Sequence, residues 1–163
     1  MNPNSANGFE AASLGESPIS GPIVFLIDDE EDLLFIVRTR LTRSNLDVRE
    51  FLTAAEFRAA FAKFRANQTE MHEVSRTADC AKQAFIITDF RLGDATGVEI
   101  LSAVADEPSV VGAVLQTGYF LAKEALPKLP FPVRVLEKPS DIDKIAEFIK
   151  ECSANARLTR GDQ

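Results

Sequence analysis

Five side chains of the sequence have the chemistry to handle a phosphoryl group together. Three are acids, Asp28, Asp29 and Asp89, and the other two are the Thr117 hydroxyl and the Lys138 ammonium. Three carboxylates held close together repel by a few kcal/mol per pair at an effective dielectric constant of about 20, so they need a cation. Oxygen ligands favour a hard divalent ion, and Mg²⁺ is the usual intracellular one. With Mg²⁺ and Lys138 the formal charges cancel, and such a site suits a phosphoryl group.

Each of these residues follows a short apolar segment with the composition of a strand. A continuous apolar run such as 23–27 is typical of a strand covered on both faces. Segments with helical spacing alternate with these runs. Thr53 with Glu56 predicts a capping box at one helix start, and Ser140 is predicted to cap the last helix. The predicted strands are 23–27, 46–51, 84–88, 110–116 and 133–136, and the predicted helices are 30–41, 53–64, 97–104, 119–126 and 141–149.

This alternation predicts a doubly wound α/β fold. Five βα units with right-handed crossovers form a five-stranded parallel sheet, (βα)5 and flavodoxin-like, with strand order 2-1-3-4-5 and helices on both faces. Functional groups in such sheets gather at the carboxyl ends of the strands, where a carboxylate can also accept a phosphoryl group. Taken singly, the five residues could be a solvated helix start, turn residues and a surface charge. Their joint placement at four strand ends favours one site.

Composition excludes several other classes of function. The 163 residues suffice for one ordinary domain, and the net charge of −7 disfavours nucleic acid and anionic membranes as partners. The single histidine, His72, excludes any site that needs two imidazoles. Cys80 and Cys152 have neither metal-binding nor disulfide spacing, and no export signal or apolar run of ~20 residues is present. We therefore expect a cytoplasmic protein.

Composition also divides the chain into segments. Residues 1–22 mix Asn, Ser, Gly and Pro and bury too little to offset ordering entropy, so we predict a flexible N-terminal tail. The predicted domain covers 23–152. A polar insertion at about 65–83 within it is either an extended helix end or an inserted loop. Residues 153–163 are predicted to be a C-terminal tail.

The motifs at the strand ends resemble those of the receiver domains of two-component response regulators. The resemblance covers residues 23 to about 151 in the right order, and five matching elements are far more specific than one acid pair. The segments that carry it are VFLIDDE at 24–30, IITDFRLGDATG at 86–97, TG at 117–118 and VLEKP at 135–139.

The resemblance implies a role for each acid. Asp89 would be the phosphoacceptor, attacking a phosphohistidine donor in line. Asp29 and Asp89 would ligate Mg²⁺ directly, together with the backbone carbonyl of Arg91. Asp28 would act mostly through a water molecule.

Three further residues would contact the phosphoryl group itself. Lys138 would pair with its oxygens, positioned by a cis bond between Lys138 and Pro139. The Thr117 hydroxyl and the Gly118 amide would bind the group, and movement of that hydroxyl would be the conformational switch.

Two residues are candidates for setting the lifetime of a phosphorylated state. Arg91 and Tyr119 come two positions after Asp89 and Thr117, respectively. From there their side chains could overhang the phosphoryl group and hinder a hydrolytic water. We treat this as a hypothesis.

The sequence departs from the family pattern near the face through which receivers usually signal. Val135 stands three residues before the lysine, where receivers usually carry an aromatic residue that rotates inward. Gly93 replaces a common proline in the loop after the acceptor, which should loosen that loop slightly. Pro127 cuts the predicted fourth helix short. The residue for the usual aromatic readout is therefore absent at position 135.

We expect a stand-alone receiver, because sequence for only one helix and a tail follows Lys138. It would take a phosphoryl group from a histidine kinase or histidine phosphotransferase and then switch or relay a signal through protein contacts. A population shift biased by phosphorylation is the expected mechanism. It would not be a turnover enzyme, and neither nucleic acid nor a membrane is an expected partner.

Two alternatives stay open. In the first, the chain is a receiver-like interaction module without phosphorylation. Val135 and the short fourth helix favour this alternative, whereas the intact acid, threonine and lysine set opposes it. In the second, Asp89 is the turnover nucleophile of a phosphohydrolase. Such enzymes usually carry a second acid two residues later, where this chain has Arg91.

Overall fold

The computed structural model describes residues 21–74, 82–118 and 126–161, and within this set it leaves the side chains of 71–74 and 160–161 undescribed. The described strands are β1 (Ile23–Ile27), β2 (Asp47–Phe51), β3 (Ala84–Asp89), β4 (Val110–Thr117) and β5 (Val133–Glu137). These five parallel strands form one sheet in the order β2-β1-β3-β4-β5, which confirms the predicted α/β fold and strand order. In parallel register, residues at or next to the ends of neighbouring strands lie side by side, as do Ile27 and Thr88 or Thr117 and Glu137.

Helices cover both faces of this sheet. Successive residues of β1 point to opposite faces, so Phe25 packs with one helix pair while Val24 and Leu26 pack with the other. Helices α2 (Ala54–Val74) and α3 (Gly97–Ala103) cover the Phe25 face. Helices α1 (Glu31–Arg43) and α4 (Ile142–Gly161) cover the opposite face.

A cluster of phenylalanines holds α2 against the sheet. The Phe25 ring lies edge-on to three rings of α2, with centroids 5.3 to 5.8 Å apart. Aromatic pairs in this arrangement contribute about 0.5–1.5 kcal/mol beyond the burial of their area. The three rings belong to Phe57, Phe61 and Phe64.

Two helices are longer than their sequence patterns predicted. Helix α2 continues past Phe64 to Val74, so the start of the polar segment 65–83 is an extended helix end. Arg65 in this extension pairs with Glu107 at 2.6 Å. Helix α4 runs through Gly161 and so continues past the predicted domain end at 152. Ser153 is buried there, and its backbone carbonyl accepts a hydrogen bond from the Gln83 side-chain amide.

Two predicted caps also differ from the structure. Ser140 does not cap α4. Instead, an Asp141 carboxylate oxygen accepts hydrogen bonds from the backbone amides of residues 143 and 144, at 3.1 and 3.4 Å. At the start of α2, Thr53 accepts from the Glu56 amide as predicted, but the Glu56 carboxylate accepts from Leu52 and not from Thr53.

The predicted fourth helix, 119–126, lies outside the described residues except for Leu126. None of the helices in the described ranges is long and apolar enough to cross a membrane.

Candidate functional site

Four of the predicted site residues stand at the carboxyl ends of strands. Asp28 follows β1, Asp89 ends β3, Thr117 ends β4 and Lys138 follows β5. Because all five strands are parallel, these ends share one edge of the sheet. The Lys138 amide donates to the Thr117 carbonyl at 2.8 Å, which joins the ends of the last two strands.

The Lys138 ammonium joins the acids of two strands. Its Nζ lies 2.7 Å from Asp28 Oδ2 and 3.0 Å from Asp89 Oδ1, and Glu30 Oε1 is 3.6 Å away. The Asp28 side chain is 1% exposed, and those of Asp89 and Lys138 are 13% and 17% exposed. This ammonium is therefore shared between two carboxylates that are largely removed from solvent.

The pKa values of Asp28 and Lys138 are both raised, for different reasons. Burial raises the pKa of Asp28, and the nearby Asp89 charge raises it further, although the Lys138 hydrogen bond and the Glu30 amide act against both. Burial by itself would lower the pKa of Lys138, but its hydrogen bonds to Asp28 and Asp89 outweigh burial and raise it. Burial therefore favours the neutral form of Asp28, whereas the two carboxylates favour the charged form of Lys138.

The Asp89 carboxylate is fixed at both oxygens. Oδ1 faces Lys138, and Oδ2 accepts a hydrogen bond from the Arg91 amide at 3.1 Å. Close packing fixes the backbone here, since a Cβ added at Gly97 would lie 2.4 Å from the Asp89 carbonyl oxygen. Only glycine allows α3 to begin this near to β3.

The other predicted phosphoryl-binding residues, Thr117 and Gly118, lie at the carboxyl end of β4. Thr117 is buried at the end of β4, and Gly118 is exposed immediately after it, with open space where a Cβ would be. The peptide bond between Lys138 and Pro139 is cis, as the resemblance implied. Tyr119 lies outside the described residues. Val135, which replaces the usual aromatic residue, is half-buried and packs against the core.

The donor set fits a hard cation. Asp28, Asp89 and the exposed Asp29 offer carboxylate oxygens, and the Arg91 carbonyl belongs to the same loop. Across the described ranges, no three His, Cys, Asp or Glu side chains are grouped as a ready-made metal centre. Mg²⁺ does not need one, because it keeps several waters and uses one or two carboxylates.

One polar residue near the site escaped the sequence reasoning. Asp94, in the loop after β3, accepts hydrogen bonds from the first two amides of α2, those of Ala54 and Ala55, at 2.9 and 3.0 Å. Helix starts leave such amides without intrahelical partners, so α2 needed a capping acceptor. The sequence indicates that α2 needs a capping acceptor. It does not identify Asp94, because a partner about 40 residues away has no characteristic spacing.

Solved structures share this architecture. A signal receiver domain of an HD domain-containing protein from Pseudomonas fluorescens Pf-5 matches with a TM-score of 0.64 and 15% identity over 100% of both chains. A response regulator receiver protein from Sinorhizobium medicae WSM419 matches with a TM-score of 0.62 and 19% identity, over 83% of this chain and 97% of the other. This chain has the receiver-domain fold. Neither a family model nor a curated protein matches its sequence.

A third protein with the receiver fold has been crystallised in a chemically modified form. It is a response regulator from Burkholderia pseudomallei, determined with a phosphorylated aspartic acid, a calcium ion and citrate. It matches this chain with a TM-score of 0.53 and 19% identity, over 86% of this chain and 72% of the other.

Proposed function

We propose that this receiver fold accepts a phosphoryl group on Asp89 from the phosphohistidine of a histidine kinase or histidine phosphotransferase. The observation that carries the proposal is the Lys138 ammonium, which lies within hydrogen-bonding distance of both Asp28 and Asp89. A carboxylate held by a fixed ammonium and a fixed amide is an oriented nucleophile. The same ammonium faces the region where phosphoryl oxygens would carry negative charge.

In the proposed step, one oxygen of the Asp89 carboxylate attacks phosphorus in line with the donor nitrogen. The new O–P bond makes an acyl phosphate, the P–N bond breaks, and its electron pair returns to the imidazole nitrogen of the donor, which takes a proton. Lys138 binds the phosphoryl oxygens. The Thr117 hydroxyl and the Gly118 amide donate hydrogen bonds to the same group.

The proposed metal is Mg²⁺, held by Asp29, Asp89 and the backbone carbonyl of Arg91, with Asp28 acting mostly through a water molecule. When bound, it supplies charge neutralisation for the phosphoryl oxygens. Two carboxylates share the single Lys138 ammonium, and this formal excess of negative charge supports a need for such a cation. The phosphorylated aspartate and calcium ion of the Burkholderia pseudomallei protein support both parts of the proposal.

The proposed output is a change in protein contacts. Phosphorylation would shift the population of two conformations at the β4 and β5 edge, as charge on Asp89 acts on Lys138 and Thr117. The readout would work without an inward-rotating aromatic, because Val135 occupies that position. The phosphoprotein is an intermediate of a cytoplasmic signalling cycle and not of a turnover enzyme. Its folded unit extends from Ile23 through α4.

Intact mass spectrometry after incubation with Mg²⁺ and acetyl phosphate tests the proposal. We expect an adduct with the mass of one HPO₃ that is lost in alkali, and no adduct in Asp89→Asn. Omitting Mg²⁺ should suppress adduct formation. No adduct in the folded parent would contradict the proposal and favour an interaction module. Repeated turnover of a small phosphomonoester, blocked by Asp89→Asn, would instead identify a phosphohydrolase.

A further inference from the structure

The loop that follows the acceptor strand is attached to a helix that is distant in sequence. Both carboxylate oxygens of Asp94 accept hydrogen bonds from the start of α2, Oδ1 from Ala54 and Oδ2 from Ala55. The hydrogen bond from the Ala54 amide is the main cause that lowers the pKa of Asp94, so the carboxylate stays ionised and able to accept both bonds. The loop therefore has an attachment point on α2.

The rest of the loop transmits this attachment to the acceptor. Leu92 is buried, and its amide donates to the Ala95 carbonyl at 2.9 Å, which folds the segment into a turn around Asp94. Arg91, next to Leu92, donates its amide to Asp89 Oδ2 at 3.1 Å. The far end of the loop is held by Thr96, which forms a capping box with Glu99 at the start of α3.

We infer that Asp94 is a positioning residue for the Asp89 carboxylate. By holding the turn against α2, it keeps the Arg91 amide directed at Asp89 Oδ2 and the Arg91 backbone in one position. The inference rests on the proposed function. Small displacements of a nucleophile cost rate steeply, up to about a hundredfold for 1 Å. We expect an indirect loss of orientation through Asp94 to slow phosphorylation about tenfold.

The competing explanation is that Asp94 only caps α2. The chain offers a matched control, because Thr53 Oγ accepts a hydrogen bond from the Glu56 amide at the same helix end, at 3.1 Å. Thr53→Ala removes a cap without releasing the loop. Asp94→Ala removes a cap and releases the loop, so the two variants differ in the property that the inference concerns.

The experiment compares the parent with Asp94→Ala, Asp94→Asn and Thr53→Ala. Three quantities are measured: the urea midpoint, the initial rate of acetyl phosphate labelling at saturating Mg²⁺, and metal-free amide hydrogen exchange at Arg91. We expect both alanine variants to lower the urea midpoint. Only Asp94→Ala should slow labelling about tenfold and speed exchange at Arg91. Asp94→Asn keeps one carbonyl acceptor, so its labelling rate and its exchange at Arg91 should lie between those of Asp94→Ala and the parent.

Two results would overturn the inference. One is an Asp94→Ala protein that labels at the parental rate. The other is equal exchange at Arg91 in Asp94→Ala and Thr53→Ala, which would make Asp94 an ordinary cap. If the parent itself takes no label, the proposed function fails. The exchange comparison then still decides whether Asp94 holds the Arg91 amide against Asp89.

Discussion

Lys138→Met tests the electrostatics of the site, because methionine keeps much of the side-chain length and removes the charge. At an effective dielectric constant of about 20, unit charges at the 2.7 and 3.0 Å separations from Asp28 and Asp89 attract by about 5–6 kcal/mol each. Desolvation and repulsion between the two acids offset most of this attraction. Breaking a buried pair typically costs about 3–5 kcal/mol. We expect a loss of about 2–3 kcal/mol at pH 7, because Lys138 is partly exposed and Asp28 can take up a proton.

The pH dependence of this loss distinguishes charge from packing. The pKa of Asp28 is already raised by burial, and the Lys138 hydrogen bond is the main contribution that lowers it, so the substitution raises this pKa further. A group with a raised folded pKa favours the folded state in its protonated form, and this contribution is lost as pH rises through the folded value. The loss of stability should therefore be smaller at pH 5 than at pH 7.

Urea denaturation of parent and variant at both pH values measures the effect. Lys144→Met is the matched control, since its 3.5 Å pair with Asp141 is exposed at the surface and such pairs contribute little. A Lys138→Met loss that is equal at pH 5 and pH 7 would refute the electrostatic reasoning and point to packing alone. A loss below about 0.5 kcal/mol at pH 7 would refute it as well.

Three further outcomes can be checked on the purified protein. Asp28→Asn removes a carboxyl whose pKa is raised in the folded protein. The stability of the parent relative to this variant, measured by urea titration, should therefore fall as the pH rises from 4 to 7. A rise in this difference would contradict the raised pKa. Gly97→Ala must displace the Asp89 carbonyl and should cost about 1–3 kcal/mol. A methyl group at Gly93 would meet open space on a backbone without positive φ, so Gly93→Ala should stabilise the protein by about 0.4–1 kcal/mol. Equal effects of Gly97→Ala and Gly93→Ala on stability would refute the packing argument. Burial raises the pKa of the Cys152 thiol to about 11. Peptide mapping should therefore show that Cys152 is alkylated at pH 8 about a hundredfold more slowly in the native protein than in urea. Similar rates in the two conditions would contradict the burial of this thiol.

The fold and the proximity of Asp28, Asp89 and Lys138 could be predicted from the sequence for a common reason. Strands covered on both faces are continuously apolar, so β1 and β3 could be recognised in the sequence. Parallel strands also bring their carboxyl ends together. The proximity of Asp28, Asp89 and Lys138 therefore follows from the order of the strands. The distances do not follow, because they depend on the rotamer of one long side chain.

Features set by single hydrogen bonds could not be predicted in the same way. Ser140 and Asp141 are both good capping residues, and which one caps α4 depends on where the backbone turns after β5. The attachment of Asp94 to α2 links two turns that share no pattern. The continuation of α4 past Cys152 depends on burial against the sheet, which brings Ser153 to Gln83.

Lys138 connects the chemistry of the site to its conformation through two different groups. Its side chain binds Asp28 and Asp89, while its backbone amide donates to the Thr117 carbonyl. If Asp89 becomes an acyl phosphate as proposed, the carboxylate charge beside Nζ is replaced by phosphoryl charge farther from the end of β3. The ammonium must then divide its contacts differently between Asp28 and the phosphoryl oxygens. Because the same residue is hydrogen-bonded to β4, this change acts directly on the strand end that carries Thr117.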